Sequence, residues 1–327
     1  MRIAVTGSIA TDHLMSFPGS FSDQLLADRL DRVSLSFLAD RLEIRRGGVA
    51  ANISFGLGLL GLRPVLVGAV GADFEPYRVW LKQHGVDTDS VLVSEEHHTA
   101  RFVCTTDRAQ NQIATFYAGA MAEARGIDLR AVAERTGRLG LVMISPDDPE
   151  AMLRHTRVCR DLGIPFAADP SQQLARLSRE EVRELVDGAR WLFTNEYESA
   201  LLLDRAGLSA PEVLRRVGCW VTTEGASGVR IRRDGRPELT VPAVPVPGVV
   251  DPTGVGDAFR AGFLAGTAWG VPERCAAQLG CVVAATVLDY VGTQEYRLYR
   301  DPLLARLRTT YGVGCAAHLA TRLRGLA

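Results

Sequence analysis

Short apolar runs alternate with longer amphipathic stretches along most of the chain, the pattern of a sheet whose strands are buried on both faces and joined by helices. RIAVTG near the start, PVLVGAVG (64–71), GLVMISP (140–146), IPFAADP (164–170), ARWLFTN (189–195) and CWVTTEG (219–225) read as strands. ANISFGLGLLGL (51–62) and segments starting at 258 and 273 read as helices. Two regions break this rhythm. Residues 13–46 contain the short alternating segments RVSLSF and RLEIRR, and at 98–117 HTARFVCTTD and NQIATFYAG flank a polar turn from Asp107 to Asn111. Alternation of period two reads as half-buried strand, so the second region predicts a hairpin and the two together a small separate sheet. The fold class expected is α/β, a right-handed, mostly parallel core carrying a small β lid. The core comprises 1–9, 48–95 and 120–327, and the lid is split between 10–47 and 96–119.

Composition narrows the class of protein. With 327 residues and 47% hydrophobic content the chain can bury one large core, and a net charge of −1 gives no electrostatic case for nucleic acid or a membrane surface. No signal-peptide pattern or bilayer-length apolar run is present, so cytoplasmic residence is expected. Six cysteines occur without a C-x-x-C pair, and the adjacent His97 and His98 point to opposite faces of any strand, so disulfide frameworks and transition-metal sites are poorly supported. Lys82 is the single lysine among 37 basic residues, which excludes a Walker P-loop and leaves backbone amides and arginine to hold any phosphate.

The chemistry concentrates in DPTGVGDAF, Asp251 to Phe259. Gly254 and Gly256 let backbone N–H groups crowd onto an anion, and the segment AFRAGFLAGTAWG that follows reads as a helix with small residues along one face. Those amides then sit at the positive end of a helix, a cradle for phosphate. Asp257, directly after the cradle, places a proton acceptor beside a transferring phosphoryl group. A dinucleotide fingerprint is absent: the first strand meets only Gly7, and Phe259 stands where a third glycine belongs. Gly-x-Gly-Asp also occurs in ordinary turns, so the motif gains weight only from its length.

Nine consecutive positions resemble the DTTGAGDAF signature of the ribokinase-like (PfkB) carbohydrate kinases, with Pro252 and Val255 as the departures. RGGVAANISFGLGLLG (46–61) resembles the family's N-terminal Gly-Gly signature, Asn195-Glu196-Tyr197-Glu198 its N-x-x-E motif, and VTTEGASGV (221–229) its nucleotide segment. The resemblance implies a three-layer core with a β lid and ATP as phosphoryl donor. Asp257 would be the general base and the N–H groups of Gly254, Val255 and Gly256 the anion hole. Glu198 would hold Mg²⁺ through water, and Asn195, Thr223, Gly225, Gly228 and Gly256 would meet ATP. Asp251 and Thr253 match positions lining a potassium site. From the residues alone, Asn195 and Glu198 also fit a helix cap, Asn52 a buried amide, and VTTEGASGV a hairpin turn.

Within the family, TGSIATDHLMSFPG, HTARFVCTTD, DPSQQLARL and VGTQEY are similar to the bacterial adenosine kinase branch. That likeness implies transfer to the 5′-hydroxyl of adenosine, giving AMP and ADP in purine salvage. Ser8, Asp12, Gly48 and Asn52 would hold the ribose side, and Phe102 and Phe116 would sandwich adenine, although packing within the lid explains two aromatics equally well. Gln172 and Gln173 depart from the D-P-N of the sugar kinases and move the site away from simple sugars; Arg176 would orient that loop. Exposed lid edges suggest a homodimer. Kinases of other nucleosides or sugars use the same machinery, and a catalytically silent nucleotide-binding regulator would keep the fold without needing Asp257.

Overall fold

The structure, a computed structural model, describes residues 1–24 and 34–326. Its elements, in chain order, begin with strands β1 (Ile3–Thr6), β2 (Ala10–Ser16) and β3 (Arg41–Gly47), helix α1 (Val49–Leu59), strands β4 (Val65–Val67) and β5 (Ala69–Val70), and helix α2 (Glu75–Gln83). Strands β6 (Leu92–Val93), β7 (Ala100–Thr106) and β8 (Gln112–Tyr117) follow, then α3 (Leu129–Thr136), β9 (Leu141–Ile144), α4 (Pro149–Asp161), β10 (Phe166–Ala168), α5 (Arg179–Val186), β11 (Trp191–Asn195), α6 (Glu196–Ala206) and α7 (Ala210–Leu214). The chain ends with β12 (Trp220–Thr223), β13 (Val229–Arg232), β14 (Leu239–Val241), α8 (Val255–Ala268), α9 (Glu273–Val287), α10 (Arg300–Tyr311) and α11 (Val313–Ala320).

Eight strands form the main sheet in the order β14-β13-β12-β11-β10-β9-β1-β4. From β12 to β4 every pairing is parallel, and β13 and β14 close one edge antiparallel. Successive strand residues feed two cores. Ile3, Val5, Leu141, Met143, Trp191 and Phe193 point to the layer of α1, α2 and α8 to α11. Ala4, Val142, Ile144, Leu192 and Trp220 point to the layer of α3 to α7. This is the three-layer α/β arrangement that continuous apolar strands require, since both faces are covered.

The small residues of α8 and α9 allow close helix approach. A Cβ on Gly262 would lie 2.7 Å from the Cα of Gly280, and one on Gly56 of α1 would lie 2.7 Å from the Cβ of Ala261. α8 begins at Val255, three residues before the periodicity predicts, because Gly254 at its N-cap has φ 77° and turns the chain into the helix. The strand expected over 64–71 divides into β4 and β5 at Gly68, where a Cβ would meet the carbonyl oxygen of Gly7 at 2.6 Å. The two main-chain segments touch there, and β5 leaves the main sheet to pair with β6.

A second sheet runs β3-β2-β7-β8 and is mixed, since β2 and β7 are parallel while the outer pairs are antiparallel. β2 and β3 lie within 10–47, and β7 and β8 within 96–119. The turn of the β7–β8 hairpin is held by Asp107, whose carboxylate accepts from the backbone N–H of Asn111 at 2.8 Å and of Phe21 at 3.0 Å. The strand expected at RVSLSF is not formed. Arg32 and Val33 lie outside the described residues, and Ser34 to Phe37 are irregular. Phe37 there packs on Phe17 and Phe21, with ring centroids 5.1 and 4.8 Å apart. An aromatic cluster, rather than a ladder, thus uses the alternation of that segment.

Candidate active site

In an open parallel sheet, ligand-binding groups gather at the carboxyl ends of the strands. Ser8 follows β1, Asp169 follows β10, Asn195 ends β11 and Thr223 ends β12. The N-terminus of α8 lies over these ends, and three cavities meet at its first turn. The first, about 610 Å³, is lined by Ser8, Asp12, Gly48, Asn52, Phe116 and Gln173, together with Gln172, Arg176, Thr253, Gly254 and Asp257. The second, about 520 Å³, is lined by Asp169, Ser171, Asn195, Glu198, Thr223, Gly225, Gly256, Asp257 and Arg260. The third, about 150 Å³, is an apolar slot among Val229, Val244, Val255, Phe259, Ala285 and Leu288, reached past Thr223, Gly225, Gly228 and Gly256. Asp257 belongs to the walls of the first and second, and Gly256 to those of the second and third.

Helix geometry leaves the first N–H groups of α8 without helical acceptors. Gly254 must be glycine here: its backbone is left-handed, and a Cβ would meet the side chain of Thr293 at 2.8 Å. Asp257 sits in this first turn, and its carboxylate accepts from Asn52 Nδ2 at 2.8 Å. Burial pushes Asp257 up to about 7; Asn52 and Arg260 pull against that, while Asp169 and Glu198 push further. A carboxyl in this range exchanges a proton near neutrality, as a general base requires.

Asn52, on α1, is held from behind. Its Oδ1 accepts from Thr293 Oγ1 and from Gln294 Nε2, each at 2.9 Å. Gln294 also donates to the hydroxyl of Tyr77, which donates to the carbonyl of Gly47 at 2.9 Å. Buried amides are normally hydrogen-bonded, and this one orients Asp257 while it also lines the first cavity.

The remaining groups of the first cavity are less occupied. Ser8 Oγ accepts from the N–H of Val49 at 3.0 Å, which leaves its own proton to donate. Gly48 has φ 93°, and a Cβ there would strike the Ser8 carbonyl at 2.6 Å, so α1 can begin against β1 only with glycine. Cross-strand register places Arg45, Asp12, Phe102 and Phe116 in one row on one face of the small sheet. Asp12 and Phe116 line the cavity; Phe102 does not, so the sandwich of two aromatics is not assembled. Burial raises the Asp12 carboxyl above its usual range, Arg45 lowers it and Asp251 raises it. Gln173 is 5% exposed and its Oε1 has no partner among the described residues.

Asn195 and Glu198 form a capping box at the start of α6. Asn195 Oδ1 accepts from the N–H of Glu198, and Glu198 Oε2 from the N–H of Asn195, both at 2.8 Å. Ser171, whose φ of 43° is unusual for a residue with a side chain, donates to Glu198 Oε1 at 3.1 Å. The cap reading and the metal reading are compatible, because each carboxylate oxygen keeps a lone pair toward the second cavity. The donors are all oxygen, which suits a hydrated Mg²⁺ completed by phosphates, and no cluster of three acidic, His or Cys ligands occurs among the described residues. For potassium, Asp251 accepts from the N–H groups of Thr253 and Gly292, each at 2.9 Å, and retains lone pairs. Arg45 Nη1, 3.6 Å from the same carboxylate, competes for its charge.

The motif reading missed the buried pair of Arg260 and Asp169, in which Nη2 donates to Oδ1 at 2.7 Å and Nε lies 2.5 Å from Oδ2. The signal was available: Arg260 is three residues after Asp257 on a helix, hence on the same face. Burial pushes Asp169 up to about 6, and Arg260 pulls it down. Lys82 is remote at the end of α2, paired with Asp89 at 3.1 Å.

Among known proteins, the nucleoside kinase of Methanothermobacter thermautotrophicus is 32% identical over 274 residues, 82% of this chain and 86% of that protein. A solved structure of Burkholderia thailandensis nucleoside kinase in complex with inosine superposes with a TM-score of 0.82 at 32% identity, covering 95% of this chain and 98% of that one. The same kinase in complex with ADP-inosine gives a TM-score of 0.80 at 33% identity, over 95% of this chain and 96% of that one. Thermotoga maritima ribokinase, at 19% identity and a TM-score of 0.76 over 94% of this chain and 99% of that one, shares the fold. The Methanothermobacter and Burkholderia kinases are named for nucleosides at large rather than for adenosine. A model of the pfkB family of carbohydrate kinases matches residues 11–298, and the chain belongs to that family, with its ribokinase-like fold.

Proposed function

We propose that this chain is a nucleoside kinase that transfers the γ-phosphoryl group of ATP to the 5′-hydroxyl of adenosine. The observation that carries the reading is the position of Asp257, on the wall shared by a cavity sized for a nucleoside and a second cavity that reaches Gly256, Arg260 and Glu198. The nucleoside occupies the first cavity, with Asp12 and Ser8 on the ribose hydroxyls and Phe116 against the base. The backbone of Gly48 and the amide of Gln172 line the same wall. Gln173 Oε1 accepts from the 6-amino group of adenine, and Asn52 acts through Asp257. The triphosphate of ATP crosses the second cavity past Asn195, Thr223 and Gly225, and its base enters the apolar slot beside Gly228.

Asp257 takes the proton of O5′ as that oxygen attacks phosphorus in line, and the N–H groups of Gly254, Val255 and Gly256 receive the charge on the phosphoryl oxygens. Mg²⁺ held through water by Glu198 would neutralise phosphate charge when bound. The small sheet, 10–47 with 96–119, acts as a lid that excludes water from transfer. Potassium beside Asp251 and Thr253 would steady the loop that leads into α8, and Arg45 limits how strongly it binds. The opposite face of the lid exposes Leu42, Ile44 and Ile113 at 57%, 61% and 47%, an apolar surface that a second copy of the chain would cover. Light scattering should then return twice 35.4 kDa, and a monomer removes the dimer from the proposal.

A second reading, inosine as the acceptor, is favoured by the inosine complex of the Burkholderia kinase. Rotating the Gln173 amide presents a donor to a 6-oxo group instead. The deciding experiment is ATP turnover with adenosine, inosine, guanosine, cytidine, ribose and fructose, in potassium and in choline salts. Adenosine should give the highest kcat/KM and 5′-AMP as product, with lower rates in choline. Preference for a free sugar defeats the nucleoside reading, and no turnover with any acceptor returns the chain to a silent regulator.

A further inference from the structure

The second cavity has carboxylates on several sides and one cation. Asp169, Asp257 and Glu198 face it, and among its described lining residues Arg260 alone is basic. Arg260 is 6% exposed, and its guanidinium is fixed on one edge only. Nη2 donates to Asp169 and Nε lies in ion-pair contact with it without a formed hydrogen bond, whereas Nη1 makes no hydrogen bond among the described residues. That nitrogen lies against the anion cradle: a Cβ added to Gly256 would stand 2.9 Å from Nη1. Gly256 is therefore glycine for a second reason besides amide access, since a side chain would push the guanidinium out of place. Its Cζ also lies over the face of Phe193, 5.6 Å from the ring centroid. A buried ion pair that served packing alone would have no use for a free donor on the wall of a cavity, and such pairs are weak contributors to stability.

We infer that Arg260 is a further catalytic residue: its Nη1 donates to a non-bridging oxygen of the phosphoryl group in flight, and Asp169 is the positioning residue that holds the fork. The inference rests on the kinase reading. The O5′ proton passes to Asp257, the O5′–P bond forms as the bond to the ADP oxygen breaks, and Arg260 keeps its protons throughout. In a chain whose single lysine lies elsewhere, this arginine supplies the side-chain positive charge that the transfer needs.

The test compares wild type with Arg260→Met and Arg260→Lys, by steady-state kinetics and by thermal shift with Mg·ADP, with and without tetrafluoroaluminate, a planar mimic of the moving phosphoryl group. Arg260→Met should lower kcat about 10²- to 10³-fold with each KM changed by no more than about threefold, the loss typical of one charge-stabilising donor. It should also lose the extra stabilisation by tetrafluoroaluminate, and Arg260→Lys should recover part of both. An Arg260→Met protein with kcat within about threefold of wild type and the full tetrafluoroaluminate shift overturns the inference. If Arg260→Met does not fold, the neutral pair Asp169→Asn/Arg260→Gln replaces it: low kcat without the shift sustains the role, and near-normal kcat overturns it. A wild type with no turnover sinks the kinase reading by itself, while the difference in shift with Mg·ATP between Arg260→Met and wild type still decides the arginine.

Discussion

One hydrogen bond from Asn52 sets the protonation of Asp257, the base of the proposed transfer. Without the Asn52 Nδ2 contact at 2.8 Å, burial and the neighbouring Asp169 and Glu198 would hold more firmly to the protonated acid. The bond favours the carboxylate, so its removal raises the pKa, and a base that must be deprotonated then works only at higher pH. Turnover should rise with pH through about 7 in wild type, where Asp257 loses its proton. In Asn52→Ala that acid limb should move up by about one pH unit, the order expected for a hydrogen bond to a charged group. A pH–kcat/KM profile checks this, and an unmoved limb removes Asn52 from the machinery. The sequence showed Asn52 to be notable but not what it holds, because its partners Thr293 and Gln294 lie more than 200 residues away. Long-range side-chain pairing has no local signature, so the motif reading, which assigned Asn52 to the substrate, did not include its bond to Asp257.

At the scale of elements, the stripe of small residues on α8 was legible as a pattern, and the structure supplies its cause. Gly262 meets the backbone of Gly280 on α9, so α8 can sit close enough to bring its first turn over the strand ends. Gly262→Ala should destabilise the fold by about 1–3 kcal/mol in urea unfolding, since the neighbour is main chain and cannot rotate away. Gly314→Ala on α11 meets nothing within 4 Å and should stabilise by about 0.5–1 kcal/mol. Equal effects at the two positions would contradict this packing. The core strands were readable because burial on both faces demands unbroken apolar runs. Boundaries were less so: the kink at Gly68 and the early start of α8 depend on close approach and on a left-handed glycine, which hydrophobic period does not encode. The segment around Ser34 to Phe37 misled because alternating polarity also suits a few aromatics folding onto one another.

For the whole molecule, the decisive feature is that two sheets and one helix end converge on a single carboxylate. The main sheet contributes Ser8, Asp169 and Asn195 at its strand ends, and the small sheet brings Asp12 and Phe116 across the first cavity. Arg45 of the small sheet reaches Asp251 at the entrance to α8, so the small sheet and the start of that helix are in electrostatic contact. The glycine-led entry into α8 was readable from sequence because it is local, whereas the enclosing cavity exists only once distant segments pack. The most direct test of the central claim is to measure Asp257→Asn for both binding and turnover. Calorimetry should find ATP and adenosine binding within about tenfold of wild type, while phosphoryl transfer to adenosine falls by about 10³-fold or more, toward the upper part of the range for loss of a general base. An Asp257→Asn protein that binds both ligands and still forms AMP within about tenfold of the wild-type rate would contradict it.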